Sequence, residues 1–248
     1  MSEYLSSEAI VLRSKDYKEN DKIVSIYTVK KGKMRALVKG VKKNTSKLRA
    51  AVQPFCVTNL TFALSKGIPV VINGEGSRSF SKATDDYLRT SYASMLCELV
   101  DKVMPENEID EGVYEILKAA LAAIGENNPW SGANSGILRL LSHLGYGAEY
   151  KTCAFCGKSL NMAEVYYSRD GLACLECAKM EGNCRKLSME AAVIINAMQE
   201  MVLEMTGHIY ASKKGKEEVD RYIDWQIDNV LEYPLKSRDF LHEVGKMC

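Results

Sequence analysis

The heptapeptide Lys33-Met34-Arg35-Ala36-Leu37-Val38-Lys39 alternates basic and apolar side chains with a period of two. Because successive side chains of a β-strand point to opposite faces, this period predicts a strand with a core face and a basic outer face. The side chains divide into an inward set, Met34, Ala36 and Val38, and an outward set, Lys33, Arg35 and Lys39. Leu37 falls on the basic face and departs from the pattern.

Four more runs rich in β-branched and apolar residues surround this strand. They cover residues 9–13, 23–29, 55–64 and 68–73, and each is short enough to be a single strand. Lys31-Gly32 predicts a tight turn between the second and third strands. Five short strands with a long connection before the fourth predict a small barrel.

The chain has 248 residues, of which 46% are hydrophobic and 26% are charged. This composition is typical of a globular protein and excludes a disordered chain or a disulfide-stapled mini-protein. The formal net charge of +1 conceals an asymmetry. Of the 33 basic and 32 acidic residues, 15 and six lie in residues 1–80, so that this part carries +9 and the remainder −8. Two regions with different partners are therefore expected.

The positive charge is concentrated in residues 30–49, which contain nine basic residues and no acidic one. Part of this block, residues 40–51, is predicted to be a mobile loop after the basic strand. Such a block suits a polyanion, most simply nucleic-acid phosphate, and the alternative is a solvated surface without a partner. The residues predicted to contact phosphate are Lys33, Arg35, Lys39, Lys42, Lys43, Lys47 and Arg49.

Beyond residue 80 the apolar spacing changes to three and four residues, which predicts helices. The helices are expected at residues 84–104, 110–124, 135–144, 188–206 and 217–232, with a short piece around Phe240. Pro105, Gly125 and Gly145 act as stop signals after the first three. Strands followed by helices predict an α+β chain of more than one domain.

Cys153-Ala-Phe-Cys156 and Cys174-Leu-Glu-Cys177 are two C-x2-C pairs with 17 residues between them. This spacing is typical of a zinc ribbon, in which two residues between the cysteines let both sulfurs bind one ion. Residues 166–172 are predicted to form a hairpin between the pairs. Four cysteines leave no open position, so one structural Zn²⁺ is predicted, and a redox-active or empty site is the alternative. The cysteines expected to be free thiols are Cys56, Cys97, Cys184 and Cys248.

Sequence patterns of common catalytic sites are missing. The histidines His143, His208 and His242 form no H-x-E or HExxH pattern, and there is no P-loop or G-x-S-x-G elbow. We therefore expect a binding protein and not an enzyme. No uncharged apolar run approaches the ~18–20 residues that span a membrane, and no secretory signal is visible, so a cytoplasmic protein without membrane contact is expected.

In their order along the chain, several segments resemble the RecO family of bacterial recombination and repair proteins. The N-terminal segments are residues 9–13, residues 17–24 with the turn Glu19-Asn20-Asp21, Gly32-Lys33, residues 38–43, Ser46 and Gln53-Pro54-Phe55. The C-terminal segments are LRLLSHLGY at residues 138–146, Cys153-x-x-Cys156-Gly157 and residues 235–241. The resemblance covers essentially the whole chain. Some members of the family lack the cysteines, whereas this chain has all four.

The resemblance implies a fold and a set of domains. An OB-fold β-barrel of five strands would occupy residues 1–80, and an all-α domain would occupy residues 81–150 and 183–248. The four-cysteine zinc module would be inserted at residues 151–182.

The resemblance also implies a role in DNA repair and homologous recombination. Proteins of this family bind single-stranded and double-stranded DNA and anneal complementary strands without ATP. Their partners are RecR and the acidic tail of single-strand-binding protein, with which they help to load RecA at gaps, so that RecA is an indirect partner and the protein is expected to associate with the bacterial nucleoid. For the acidic tail we expect an apolar helical groove with a basic rim, formed by residues between Arg139 and Arg238.

A rival interpretation fits the basic block equally well. It is a zinc-ribbon OB-fold protein that binds RNA in ribosome or tRNA metabolism. A transcription regulator is disfavoured because the helices after residue 80 are net acidic. The aromatic residues that could stack on bases are Tyr17, Tyr27, Phe55 and Phe62, for which a place in the barrel core is the more expected role.

Overall fold

The N-terminal part of the computed structural model is a closed five-stranded barrel. The structure describes residues 3–64, 66–78, 86–126, 128–147 and 150–244. The strands are β1 (Glu3–Tyr17), β2 (Asp21–Thr28), β3 (Gly32–Val38), β4 (Val57–Leu64) and β5 (Val70–Arg78). Their order around the barrel is β1-β2-β3-β5-β4. This is the five-stranded Greek-key barrel of an OB fold, so the predicted fold class is confirmed.

Strand β1 is three times as long as the predicted strand at residues 9–13, so that prediction was wrong in extent. Its first half pairs with β4 and its second half with β2, and the β1–β2 register shifts between Val11 and Arg13. A shift of this kind bends a strand, which lets one strand border both neighbours of a closed barrel. The polar ends of β1 gave no apolar run from which its length could be predicted.

The helical part begins beyond residues 79–85, which lie outside the described residues together with the predicted boundary between residues 80 and 81. The helices are α1 (Leu48–Ala51), α2 (Tyr87–Val103), α3 (Glu111–Glu126), α4 (Pro129–His143), α5 (Leu175–Glu181), α6 (Met189–Glu200), α7 (Lys213–Val230) and α8 (Lys236–Val244). A 3-10 helix at Leu203–His208 follows α6. Apart from α1 and α5, each α-helix overlaps one predicted from the apolar spacing.

Two helix boundaries differ from the prediction. Helix α4 starts at Pro129, six residues early, because Asn128 caps it and its first turns bury small polar side chains such as Ser131 and Asn134. The apolar period therefore begins only later in the helix. The helix predicted at residues 188–206 ends at Glu200, because Met201 adopts an extended backbone.

The apolar core continues from the helices onto the outside of the barrel. The barrel interior holds the predicted inward set, Met34, Ala36 and Val38, together with Phe62 and other apolar side chains. On the other face of β1 and β2, Ile10, Leu12 and Tyr27 belong to the core of the helical part. The barrel and the helices are thus joined by a shared apolar layer.

The cysteine-rich insert has its own small sheet. Strands β6 (Tyr166–Ser168), β7 (Gly171–Ala173) and β8 (Arg185–Lys186) pair in the order β7-β6-β8. The predicted hairpin is confirmed by β6 and β7, whereas β8 has only two residues and was not predicted. Within the described ranges, no helix has both the length and the apolar character to cross a membrane.

Candidate metal centre and nucleic-acid interface

The first C-x2-C pair lies in a tight turn stabilised by backbone hydrogen bonds. The amide of Cys153 donates to the carbonyl oxygen of Lys158 at 2.8 Å, and that of Gly157 donates to the carbonyl oxygen of Cys153 at 2.9 Å. Gly157 has a φ of +70°, which side chains with a Cβ rarely adopt. The turn directs Cys153 and Cys156 to the same side.

The second pair is held by the beginning of a helix. Cys174 is the N-cap of α5, and Cys177 lies in its first turn. The amide of Cys174 also points at the Cys153 sulfur, at 3.4 Å. The hairpin β6–β7 brings this helix start to the first turn, so the two pairs separated in sequence meet in space.

The four cysteines form a cluster with the dimensions of a metal centre. The Sγ atoms of Cys153, Cys156, Cys174 and Cys177 all lie within 4.8 Å of one another, and those of Cys156 and Cys174 are 3.9 Å apart. Four sulfurs at ~2.3 Å from a tetrahedral Zn²⁺ would be about 3.8 Å apart. The donor set and its spacing therefore fit a closed Zn²⁺ site.

The pKa values of two thiols in the cluster, those of Cys153 and Cys177, are shifted in opposite directions. Burial opposes ionisation of Cys153, but the amides of Cys174, Phe155 and Cys156 outweigh it and lower the pKa of this thiol to about 6. The pKa of the Cys177 thiol is raised, first by its hydrogen bond with Cys156 and then by burial. Four adjacent thiolates thus need a positive charge between them, which a divalent cation supplies.

Three of the other cysteines lie outside the cysteine cluster and form no disulfide, as expected. Cys56 and Cys97 are buried in the apolar cores, and burial raises the pKa of Cys97. Cys184 packs against the cysteine cluster without belonging to it. Cys248 lies outside the described residues.

Three of the seven predicted phosphate-contacting residues form an exposed surface at one end of the barrel. Lys39 follows β3, and Lys43 and Lys47 lie in the connection to α1. The side chains are exposed, and no described residue forms an ion pair or hydrogen bond with their ammonium groups. We call these residues the lysine surface; their charge is available to a ligand.

Two further predicted residues stabilise the connection that carries the lysine surface. Arg49 donates through Nη2 to the carbonyl oxygen of Lys42 at 2.5 Å and to Oδ1 of Asn44 at 3.4 Å. The ammonium of Lys42 lies 2.9 Å from the carboxylate of Asp16, and this hydrogen bond lowers the pKa of that carboxyl group. The amide of Lys42 donates to the carbonyl oxygen of Asn20. The connection predicted to be mobile is therefore tied to the barrel.

The last two predicted residues face the helical part instead of solvent alone. Lys33 Nζ donates to the carbonyl oxygen of Asp101 at 2.5 Å, and Arg35 Nε is 2.9 Å from a carboxylate oxygen of Glu106. Asp101 belongs to α2, and Glu106 lies just beyond its end. The structure thus brings five of the seven residues to one end of the barrel and separates Lys33 and Arg35 from them.

Of the four aromatic residues considered for base stacking, only Tyr17 is exposed, by 42%. Tyr27 and Phe62 are fully buried and Phe55 is 5% exposed, as expected for core residues. Lys18 lies over the Tyr17 ring at 5.5 Å. Neither Lys15 nor Lys18 was included in the predicted interface, although both are exposed, Lys15 at the end of β1 and Lys18 on the turn that follows Tyr17. Their position at the end of the long strand β1 was the missing signal.

Comparison with known proteins relates both parts of the chain to one family. The family model "Recombination protein O N terminal" matches residues 1–80, and "Recombination protein O C terminal" matches residues 84–239. A DNA repair protein RecO from Syntrophomonas wolfei is 31% identical over 226 residues, which cover 89% of each chain.

Two other relatives give the same result. One from Listeria monocytogenes is 31% identical over 240 residues, covering 96% of this chain and 94% of the relative. One from Thermoanaerobacter is 29% identical over 245 residues, covering 98% and 99%. Both are named DNA repair protein RecO.

Proposed function

The chain belongs to the RecO family, whose members are DNA repair proteins, and we propose that it mediates DNA repair and homologous recombination by binding DNA through its barrel. The observation that carries this proposal is the lysine surface. Lys39, Lys43 and Lys47 present three unpaired charges on one end of an OB-fold barrel. Such contacts neutralise phosphate without reading sequence, so single-stranded and double-stranded DNA both fit.

The same surface suits annealing of complementary strands without ATP. Two strands repel each other through their phosphates, and a cluster of lysines lowers that repulsion for both. Among the described aromatic residues of the barrel, Tyr4 and Tyr17 are exposed, so stacking would hold few bases and most would remain free to pair. The protein then acts by binding alone, without nucleotide hydrolysis or a catalytic residue.

One structural Zn²⁺ is proposed for the cysteine cluster. Cys153, Cys156, Cys174 and Cys177 would hold the ion, and it would supply positive charge that fixes the two turns relative to each other. Its role is to order a module that has only three short strands and one short helix.

The proposed protein partners are RecR, the acidic tail of single-strand-binding protein and, indirectly, RecA. For the acidic tail, the candidate is a groove of about 760 Å³ between the barrel, α2 and α8, which shares only Lys236 and Ser237 with the range expected from the sequence. Leu12 and Phe55 supply apolar lining, the exposed Lys236 lies on the rim, and the carboxylates of Glu98 and Asp101 also line the groove. An apolar groove with a basic rim suits a peptide that combines apolar and acidic residues.

The tail proposal is tested by titrating the tail peptide against wild type and Lys236→Glu. Binding that is weakened at Lys236→Glu but not at Lys213→Glu, an exposed lysine on α7, would support it. Equal binding by all three proteins would locate the tail elsewhere.

Family membership favours DNA over the RNA-binding alternative. The main experiment measures annealing of labelled complementary DNA strands without ATP, with binding followed across a salt series. The variant Lys39→Glu/Lys43→Glu/Lys47→Glu is compared with Lys179→Glu/Lys213→Glu/Lys214→Glu, which makes the same charge change on exposed helical lysines. RNA of the same sequence serves as competitor.

Comparison of DNA binding and annealing by the two variants distinguishes a specific interface from an effect of total charge. Loss of binding and annealing in the barrel variant, with both retained in the helical variant, would support the proposed interface. Equal loss in both variants would mean that only total charge matters. A wild type that prefers RNA, or that binds no DNA, would contradict the proposed function.

A further inference from the structure

The segment that leaves α2, residues 104–110, lies along the first residues of β3; we call it the strap. The amide of Asn107 donates to the carbonyl oxygen of Lys33 at 2.8 Å, and Glu106 and Lys33 form a parallel β-bridge. Gly32 permits this approach, because a Cβ on it would lie 1.7 Å from the carbonyl oxygen of Glu108. Strand β3 pairs with β5 near its end, at Leu37 and Val70. The strap therefore extends the barrel wall at the other end of β3, beside Lys33.

The strap and the end of α2 supply anionic partners for the basic outer face of the barrel. Arg13 Nε of β1 lies 2.8 Å from a carboxylate oxygen of Asp101, and Arg35 Nε of β3 lies 2.9 Å from one of Glu106. The Lys33 ammonium binds the carbonyl oxygen of Asp101. Lys33 and Arg35 lie on β3, a strand that an OB fold commonly offers to nucleic acid, and both are paired within the chain, as is Arg13 of β1.

The cations of these contacts are open to solvent. The side chains of Arg13 and Arg35 are 63% and 59% exposed, and that of Glu106 is 48% exposed, whereas the Asp101 side chain is 14% exposed. Exposed ion pairs contribute little to stability and are screened by salt. A polyanion that offers several phosphates at once can therefore compete with Asp101 and Glu106 for the same cations.

We propose that Arg13, Lys33 and Arg35 form a second nucleic-acid contact surface, whose cations Asp101 of α2 and Glu106 of the strap hold until a second strand displaces these partners. This inference rests on the proposed DNA binding at the lysine surface. One strand would be held by the lysine surface, and the phosphates of another would replace Asp101 and Glu106 on the outer face. Annealing requires two strands on one protein, and this internally paired surface provides the place for the second.

The first test removes the competing charges. Asp101→Asn/Glu106→Gln is expected to bind a labelled oligothymidine about 2- to 30-fold more tightly than wild type, the range expected for two exposed ion pairs. Its salt dependence is expected to steepen by roughly 1.4, which corresponds to two additional phosphates on a single strand. Glu164→Gln/Glu217→Gln, which makes the same charge change at exposed helical and metal-module positions, is expected to change affinity by much less.

The second test follows the strap in the wild type by hydrogen exchange. Saturation with annealing strands is expected to accelerate exchange of the Asn107 amide, because displacement of the neighbouring Glu106 from Arg35 loosens the strap and its backbone bond to Lys33. Gly32→Ala, whose added Cβ collides with Glu108 and whose φ of +61° disfavours a side chain, should accelerate it without DNA. If Gly32→Ala does not fold, the charge variant and the wild-type exchange still decide the question.

The results distinguish this inference from the proposed function. A wild type that binds no DNA contradicts the proposed function itself. A wild type that binds DNA while the Asn107 amide stays protected, with Asp101→Asn/Glu106→Gln no tighter than its control, overturns the strap inference alone.

Discussion

The rings of Tyr167 and Trp225 are 5.1 Å apart, centroid to centroid, which connects the metal module to helix α7. Tyr167 lies on β6, and the Tyr222 ring packs edge-on against it at 5.2 Å. Tyr222 in turn bonds to the buried hydroxyl of Tyr150. If the cysteine cluster becomes disordered, we therefore expect the packing of these aromatic side chains in the helical core to change as well.

Removal of the metal is expected to change both stability and Trp225 fluorescence. Without the ion the module loses order, and the packing of Tyr167 on Trp225 loosens. The midpoint of thermal unfolding should fall by several degrees, since each ~1 kcal/mol shifts a chain of this size by about 2–4 °C. Emission is recorded before and after chelation of reduced protein, with Trp225→Phe to identify the signal of Trp130. An unchanged midpoint and spectrum would contradict the coupling.

The metal content should depend on Cys174 and not on Cys184. Cys174→Ser removes one of four ligands and is expected to reduce bound zinc from one ion per chain to little or none. Cys184→Ser should retain the full content, because Cys184 packs beside the cluster without belonging to it. Zinc is measured with a chromogenic chelator after oxidation of the thiols. Full zinc in Cys174→Ser would refute the four-cysteine assignment.

Two basic residues of the barrel should affect DNA binding in different ways. Lys43→Ala removes an unpaired charge, so the slope of log affinity against log salt should fall by about 0.7 on a single strand, with stability unchanged. Arg49→Ala breaks the bonds to Lys42 and Asn44. It should also lower stability, by about 1 kcal/mol. Salt titrations of DNA binding report the lost charge in both variants, and urea unfolding reports the lost hydrogen bonds of Arg49. Equal unfolding free energies of the two variants would contradict the structural role of Arg49.

Glu98 should make stability depend on pH in the acid range. Burial opposes ionisation of Glu98, but hydrogen bonds from Ser237 and Lys236 outweigh it and lower its pKa below the usual 4.5. A carboxyl group whose pKa is lowered on folding stabilises the protein above its unfolded pKa, and this contribution is lost as pH falls through the folded value.

The measurement for Glu98 is the difference in unfolding free energy between wild type and Glu98→Gln. At pH 7 the variant should be less stable by about 1 kcal/mol, because α8 loses its charged partner. The difference should shrink steadily below pH 4.5. A difference that stays constant with pH would exclude the ionised form of Glu98 as the stabilising one.

Short-range patterns predicted the barrel strands and the cysteine cluster well. The alternation at Met34, Ala36 and Val38 depends on neighbouring residues alone, and so does the spacing within each C-x2-C pair. The length of β1 and the start of α4 were missed because polar side chains there interrupt the apolar period.

Contacts between distant residues could not be predicted from these patterns. The partner of Lys33 is Asp101, 68 residues away along the chain. A lysine on an outer face has the same sequence pattern whether solvent or another part of the chain covers it. For this reason the sequence grouped Lys33 and Arg35 with the exposed lysines, and only the packing of α2 against the barrel separates them.

The apolar layer that joins β1 and β2 to the helices has a consequence for how the molecule can be divided. A fragment that ended after the barrel would expose Ile10, Leu12 and Tyr27, which are at most 3% accessible in the whole chain. Such a patch would make the fragment aggregate or bind itself. The two halves are therefore expected to fold as one unit, and biochemical study of the barrel has to keep the helices attached.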